Sequence, residues 1–218
     1  MISQASDKKY ASTIFDLMRI YYEPQNYKVK EIDEFFRTNT WVPVEPFAAK
    51  IEDNMSYLNS PESIINWFKK VEAKSSNGKF LLLYSFVKNG EAKLADPETL
   101  KIFRHLWTTT EFDLQTEEYF INEYKDLFTL GDLLKKIELL TWDKSYTMAE
   151  KLISLLPAKQ QELPKLRLEV AKHPEGISGK LSERVKKYPE EEYFQYLYAK
   201  LLLDNDHDKK ASDILVKV

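Results

Sequence analysis

Residues Lys79 to Lys88 read KFLLLYSFVK, and the reading of this run decides the fold class. Leu81, Leu82, Leu83 and Phe86 form a nearly continuous apolar run whose length suits a buried strand as well as a buried helix. The turn dipeptides Asn77-Gly78 and Asn89-Gly90 bracket it. A strand needs a partner, and no other segment supplies one. On both sides the apolar residues recur at three and four, and the whole chain holds only 5 glycines. The run is therefore read as a buried helix, and the chain as all-α.

Upstream, a helix is expected at about 7–22, where Tyr10, Ile14, Leu17, Met18 and Tyr21 make one stripe that Pro24 closes. A second, about 29–38, turns Val29, Ile32, Phe35 and Phe36 inward. A third, about 45–58, does the same with Phe47, Ile51, Met55 and Leu58. Ser60 and Pro61 supply an N-cap and a first-turn proline for a helix through Ile64, Ile65, Trp67, Phe68 and Val71. Downstream, Asp96-Pro97 opens a helix carrying Leu100, Phe103, Leu106 and Trp107. Asp113 caps another with Tyr119, Phe120, Tyr124 and Leu127. Further helices are expected at about 130–142, 145–155, 159–172, 178–187, 190–203 and 207–218.

Short helices with tight connections pack as consecutive antiparallel hairpins. The expected architecture is a right-handed superhelix, a tetratricopeptide-like solenoid forming one domain over 1–218, with a sub-boundary near 108–113. An internal echo points the same way. Leu139 to Ile153, LLTWDKSYTMAEKLI, aligns at an offset of 62 with Leu201 to Leu215, LLLDNDHDKKASDIL. That offset is about two repeats of roughly 34 residues. Ala149 and Ala211 mark where two helices would approach closely. In the last helix Ala211, Ile214, Leu215 and Val218 fall on one face, and Asp213 to Val218 stay apolar-periodic without a polar terminal face. The expectation is that the chain stops inside a longer array, and that this helix frays or forms a weak dimer.

Lys plus Arg 32 against Asp plus Glu 35 gives a charge of −3, which excludes a strongly basic nucleic-acid binder. There is no apolar run of the roughly 18 residues needed to span a bilayer, and the start MISQASDKKYAS lacks a signal-peptide profile. With 0 Cys, disulfides, thiolate nucleophiles and Cys-held zinc are out. His105, His173 and His207 are far apart and read as lone surface residues. No metal or cofactor site is assigned. Gly176 to Gly179 has the GxxG spacing of an RNA-clamping loop but no strand beside it, so it reads as a connection between hairpins. Glu190 to Glu192 reads as an acidic first turn after Pro189. Lys69, Lys70, Lys74, Lys79, Lys186 and Lys187 are interleaved with acids and read as a solvated face.

Several segments resemble the N-terminal helical domain of soluble lytic murein transglycosylases. Glu31 to Pro43, EIDEFFRTNTWVP, is similar to that family's helix followed by a Trp-Pro step, with Val42 inserted between Trp41 and Pro43. Glu52 in KIEDNMSYL, then SPESIINWF with Trp67-Phe68, Gly78 and KFLLLYSFVKNGEAK resemble its succession of Glu in a helix, x-Trp-Phe, Gly, a small helix and Gly-x-x-x-x-Ala. The most specific part is Trp107 to Leu156. Trp107, Phe112, Glu117, Glu118, Phe120, Tyr124, Leu127, Phe128, Asp132, Leu140 and Trp142 match there. Leu133 departs from the family's frequent His, and Phe128 from its second Leu. The likeness covers about residues 10–218.

The resemblance implies a noncatalytic superhelical scaffold in peptidoglycan turnover. In the complete enzyme a lysozyme-like domain, a carbon–oxygen lyase on glycan strands, leaves a 1,6-anhydro product. That domain needs a Glu-Ser pair and a downstream Gly-Leu-Met-Gln-like loop, so that one carboxylic acid can donate and then remove a proton. Here the pair is Glu62-Ser63, just after Pro61 at a helix start, where the macrodipole favours negative charge. No such loop follows. No catalytic residue is assigned and no activity is expected of this chain. Peptidoglycan is then a partner through the parent enzyme. The compartment is the periplasm if the parent is exported, and the cytoplasm if Met1 is the true start. The four tryptophans, Trp41, Trp67, Trp107 and Trp142, are expected to be packing anchors between hairpins rather than sugar platforms. The alternative is a stand-alone tetratricopeptide-like module holding a protein or peptide in its concave face. For an enzyme of another kind no triad, metal cluster or phosphate loop is visible.

Overall fold

The structure is a computed structural model that describes residues 2–172, 183, 185–188, 191–204 and 206–216. Among these residues every regular element is helical and none is a strand. Packing divides the chain into two compact units, Met1–Phe128 and Thr129–Val218, and the segment 108–113 lies inside the first.

The first unit holds α1 (Ile2–Tyr22), α2 (Val29–Thr38), α3 (Glu45–Asp53), α4 (Pro61–Phe68), α5 (Ser76–Lys88), α6 (Pro97–Thr109) and α7 (Leu114–Tyr124). KFLLLYSFVK is indeed helical, as the body of α5, with Phe80 and Leu81 fully buried. The helix starts follow the capping residues. Ser60 Oγ accepts from the Ser63 N–H at 3.2 Å, Asp96 from Thr99 at 2.8 Å and Asp113 from Thr116 at 2.8 Å. Each such cap satisfies one of the donors a helix start leaves unpaired. α1 packs on α3, α2 on α4 and α3 on α5, while α4 with α5 and α5 with α6 pack as neighbours. The core is strongly aromatic: Trp107 stacks on Phe128 with centroids 3.7 Å apart, and Phe80 meets Phe120 edge to face at 4.7 Å.

The second unit holds α8 (Leu130–Trp142), α9 (Tyr146–Leu155), α10 (Glu162–Lys172), α11 (Glu192–Leu203) and α12 (Asp208–Leu215). Its internal echo is visible in the backbone. Lys144 and Asp206 both take left-handed φ, +64° and +60°. Behind them the Ser145 N–H donates to Leu140 O at 2.9 Å and the His207 N–H to Leu202 O at 2.8 Å. These are the six-to-one bonds of a Schellman-type helix end. Ala149 and Ala211, again 62 apart, are both fully buried. The α8–α9 and α11–α12 hairpins therefore share their turn geometry. Gly90 (φ +76°) ends α5 in the same way, with Glu91 N–H on Phe86 O. A β-carbon in that conformation is strained, so Lys144→Gly is expected to stabilise the second unit by roughly 0.5–1 kcal/mol. Lower stability on urea unfolding would show that Lys144 contributes something its exposure hides.

Several expected details differ. On α1, Thr13, Leu17 and Ile20 are buried, whereas Tyr10 and Met18 are exposed, because the packed face is one step round from the predicted stripe. α3 stops at Asp53, well short of 58. The Asn77 side chain takes up the freed carbonyls, donating to Glu52 O at 2.7 Å and Met55 O at 3.1 Å, and Leu58 is exposed. A single 3-10 turn, Ala158–Gln160, precedes α10. Trp67 and Trp107 are buried anchors, but Trp41 and Trp142 are half exposed, which corrects their assignment as anchors. Of the 178–187 helix only residues 183 and 185–187 are described, and they are helical. His173, Gly176 to Gly179, Pro189, Glu190 and Val218 lie outside the described residues.

α12 has eight residues, and Ala211 is the one it buries fully. With so little burial it opens at low cost. Its amides are expected to exchange with deuterium much faster than those of α8 and α9. Equal protection would remove this reading of the C-terminal edge.

Candidate functional site

Glu62 begins the one Glu-Ser pair of the sequence. Its side chain is exposed in the first turn of α4, and Ser63 Oγ is paired with Ser60 Oγ at 2.7 Å in the cap. Glu62 and Ser63 line a polar recess of about 650 Å³ with Lys30, Glu34, Arg37 and Lys69. Arg37 holds the Glu34 carboxyl below its ordinary value through their hydrogen bond.

The two buried acids of the first unit are bound into the structure. Glu52 is fully buried, and its Oε2 accepts from the backbone N–H groups of Lys74 at 2.8 Å and Ser75 at 3.0 Å. Glu52 thereby holds the start of α5 while Asn77 of α5 holds the end of α3. Gly78 sits against it: a β-carbon there would lie 2.6 Å from Glu52 Oε2. Glu52 and Gly78, far apart in the sequence, are thereby one contact. Glu117, also buried, accepts the Trp107 indole N–H at 2.9 Å. Asp132 closes a reciprocal capping box with Thr129 at the start of α8. These polar positions join helices.

A second polar cluster is phenolic. The Tyr84 and Tyr119 hydroxyls are 2.9 Å apart, and Tyr57 stacks on Tyr119 at 4.3 Å. Burial, and then the bond to Tyr119, push the Tyr84 hydroxyl far above its ordinary range. Burial pushes Tyr124 up to about 12. Both favour the neutral form when folded, so their contribution to stability is complete below about pH 10, the unfolded value, and is lost as pH rises through the folded values. The first unit is expected to weaken between about pH 10 and 12. Tyr84→Phe should flatten that slope in urea unfolding. An unchanged slope would assign it to other groups.

Two clefts remain. One, about 430 Å³, lies beside the turn after α2. Phe36, Val42, Pro43, Trp67 and Val71 give it apolar walls, and Asp33, Arg37, Glu45 and Lys70 add two charges of each sign. The other, about 440 Å³ in the second unit, is lined by Ile153, Leu168, Glu150, Lys165 and Lys172 among others, with Lys172 paired to Glu150. Among the described residues there is no group of three His, Asp or Glu able to hold a metal, and no helix is long and apolar enough to cross a membrane. His105 and His207 are exposed. Comparison with protein-family profiles, with curated proteins and with solved structures finds no match to this chain.

Proposed function

We infer that this chain is a noncatalytic superhelical scaffold of a lytic murein transglycosylase, acting in peptidoglycan turnover. The observation that carries the reading is the run Trp107 to Leu156. Among its family-like residues the fold buries Trp107, Glu117, Phe120 and Leu140, and Asp132 closes a cap. Phe112, Glu118, Tyr124 and Leu127 are half-buried, and Trp142 is half exposed. Repeated hairpin geometry at α8–α9 and α11–α12 supports a tetratricopeptide-like solenoid. On this reading the compartment is the periplasm of an exported parent, and the partner is peptidoglycan.

The test uses purified sacculi. The chain is expected to sediment with them more than a neutral control protein does, and to release no 1,6-anhydro muropeptides. Release abolished by Glu62→Gln would overturn the noncatalytic reading. No sedimentation, with capture of a defined peptide instead, would favour a stand-alone interaction module.

A further inference from the structure

α1 carries two apolar faces, and the first unit covers one of them. Thr13, Leu17 and Ile20 are buried. On the other side Phe15 is 63% exposed, Tyr22 65% and Met18 43%. Lys8 and Ala11 are exposed as well. Residues 8, 11, 15, 18 and 22 follow one another at steps of three, four, three and four. That strict alternation is the seam on which a second helix packs, and neither a lipid surface nor a small ligand requires it. Between residues 8 and 22 α1 offers such a partner about 22 Å of seam.

The seam is complementary to itself when reversed. In an antiparallel pair that sets Phe15 against Met18 of a second copy, Ala11 falls against Tyr22, so the smallest side chain of the seam receives one of the largest. The charges agree with that direction. One flank of the seam carries Lys8, Asp16, Arg19 and Glu23, all exposed, and an antiparallel pair brings this flank of one copy against the same flank of the other. In the register just described Glu23 arrives beside Lys8, and Asp16 arrives within one turn of Arg19. A parallel pair would instead set Lys8 against Lys8. Arg19 Cζ stands 6.0 Å from the centroid of the Phe15 ring, at the border of the seam. With two cations and two anions the flank has no net charge to draw it to an anionic membrane.

We propose that α1 pairs with α1 of a second copy of this chain, antiparallel about a two-fold axis, through Phe15, Met18 and Tyr22. A two-fold pair uses the same patch on both copies, which is what a self-complementary seam supplies. Aromatic side chains present about 150–250 Å² each, and with more than half of each ring in water the two rings and Met18 offer roughly 300–400 Å² per copy. Two copies then bury roughly 600–800 Å², below the about 1,200 Å² of a standard stable interface, so the dimer is weak and forms with rising concentration. The pairing stands apart from the scaffold reading and does not rest on it.

The experiment is sedimentation equilibrium of the full chain from about 5 µM to about 1 mM in dilute salt. Wild type should show a reversible monomer–dimer equilibrium. Phe15→Asp should weaken it at least about tenfold with an unchanged melting temperature, because the side chain it replaces is exposed. Lys8→Glu and Glu23→Lys should each weaken it about threefold, and the two combined should restore it. A monomer throughout overturns the proposal, as does a dimer indifferent to Phe15→Asp. A dimer lost in Leu215→Asp and kept in Phe15→Asp belongs to the C-terminal helix and overturns it too. Charge variants that do not rescue one another overturn the antiparallel register. Phe15-dependent binding of phosphatidylcholine–phosphatidylglycerol vesicles by a chain that stays monomeric would make the face a lipid contact and overturn the pairing.

Discussion

Trp107→Ala is expected to destabilise the first unit by about 4–5 kcal/mol, the largest single-residue effect in the chain. Trp107 is fully buried, with its ring stacked on Phe128 at 3.7 Å. Truncation opens a cavity the size of an indole. It also removes the N–H that Glu117 Oε1 accepts at 2.9 Å, leaving a buried acceptor without that donor. Trp107→Phe separates the two contributions, since it keeps most of the volume and loses the donor; its cost should be about 1–3 kcal/mol. Trp142→Ala, at a half-exposed position, should cost well under half as much as Trp107→Ala. Urea unfolding followed by circular dichroism reads all three. Similar losses for Trp107→Ala and Trp142→Ala would contradict the burial on which this ranking rests.

Gly78→Ala is expected to cost about 2–3 kcal/mol although it adds a single methyl group to a helix, where alanine is normally the better residue. The added carbon would sit 2.6 Å from Glu52 Oε2 and 3.1 Å from the Phe68 ring. Glu52 cannot retreat without releasing the Lys74 and Ser75 N–H groups that it holds at the start of α5. A double-mutant cycle tests the mechanism. Once Glu52→Ala has removed the carboxyl, Gly78→Ala should cost less than in wild type, by about 1 kcal/mol or more. Additive losses would place the strain elsewhere, most directly at Phe68.

The helices themselves are local events, which is why so many were legible. Ser60, Asp96 and Asp113 cap where their residue types indicate, because a cap is settled within four residues of chain. Gly90 ends α5 for the same local reason. The echo between residues 139 and 215 was legible in the alanines that recur 62 apart, whereas the left-handed turn shared by Lys144 and Asp206 emerges only in the backbone. Which face of a helix is covered was less so. α1 carries apolar residues nearly all round, and only its neighbours decide that Thr13 and Ile20 go in while Tyr10 and Met18 stay out. Trp41 illustrates the limit: its residue type suggests burial, yet its position in a tight turn beside α1 leaves half of it in water.

The sequence alone determined the all-helical class, most helix starts and the absence of thiol chemistry, all of which depend on residue type and short spacing. Tertiary structure alone decided that Glu52 and Gly78 are one clamp, that Glu117 serves Trp107, and that Tyr10 and Trp41 meet at the surface. Each of those pairs joins residues ten or more positions apart, and their contact depends on how whole helices pack. Helical periodicity carries the phase of one helix and nothing of its distance to the next.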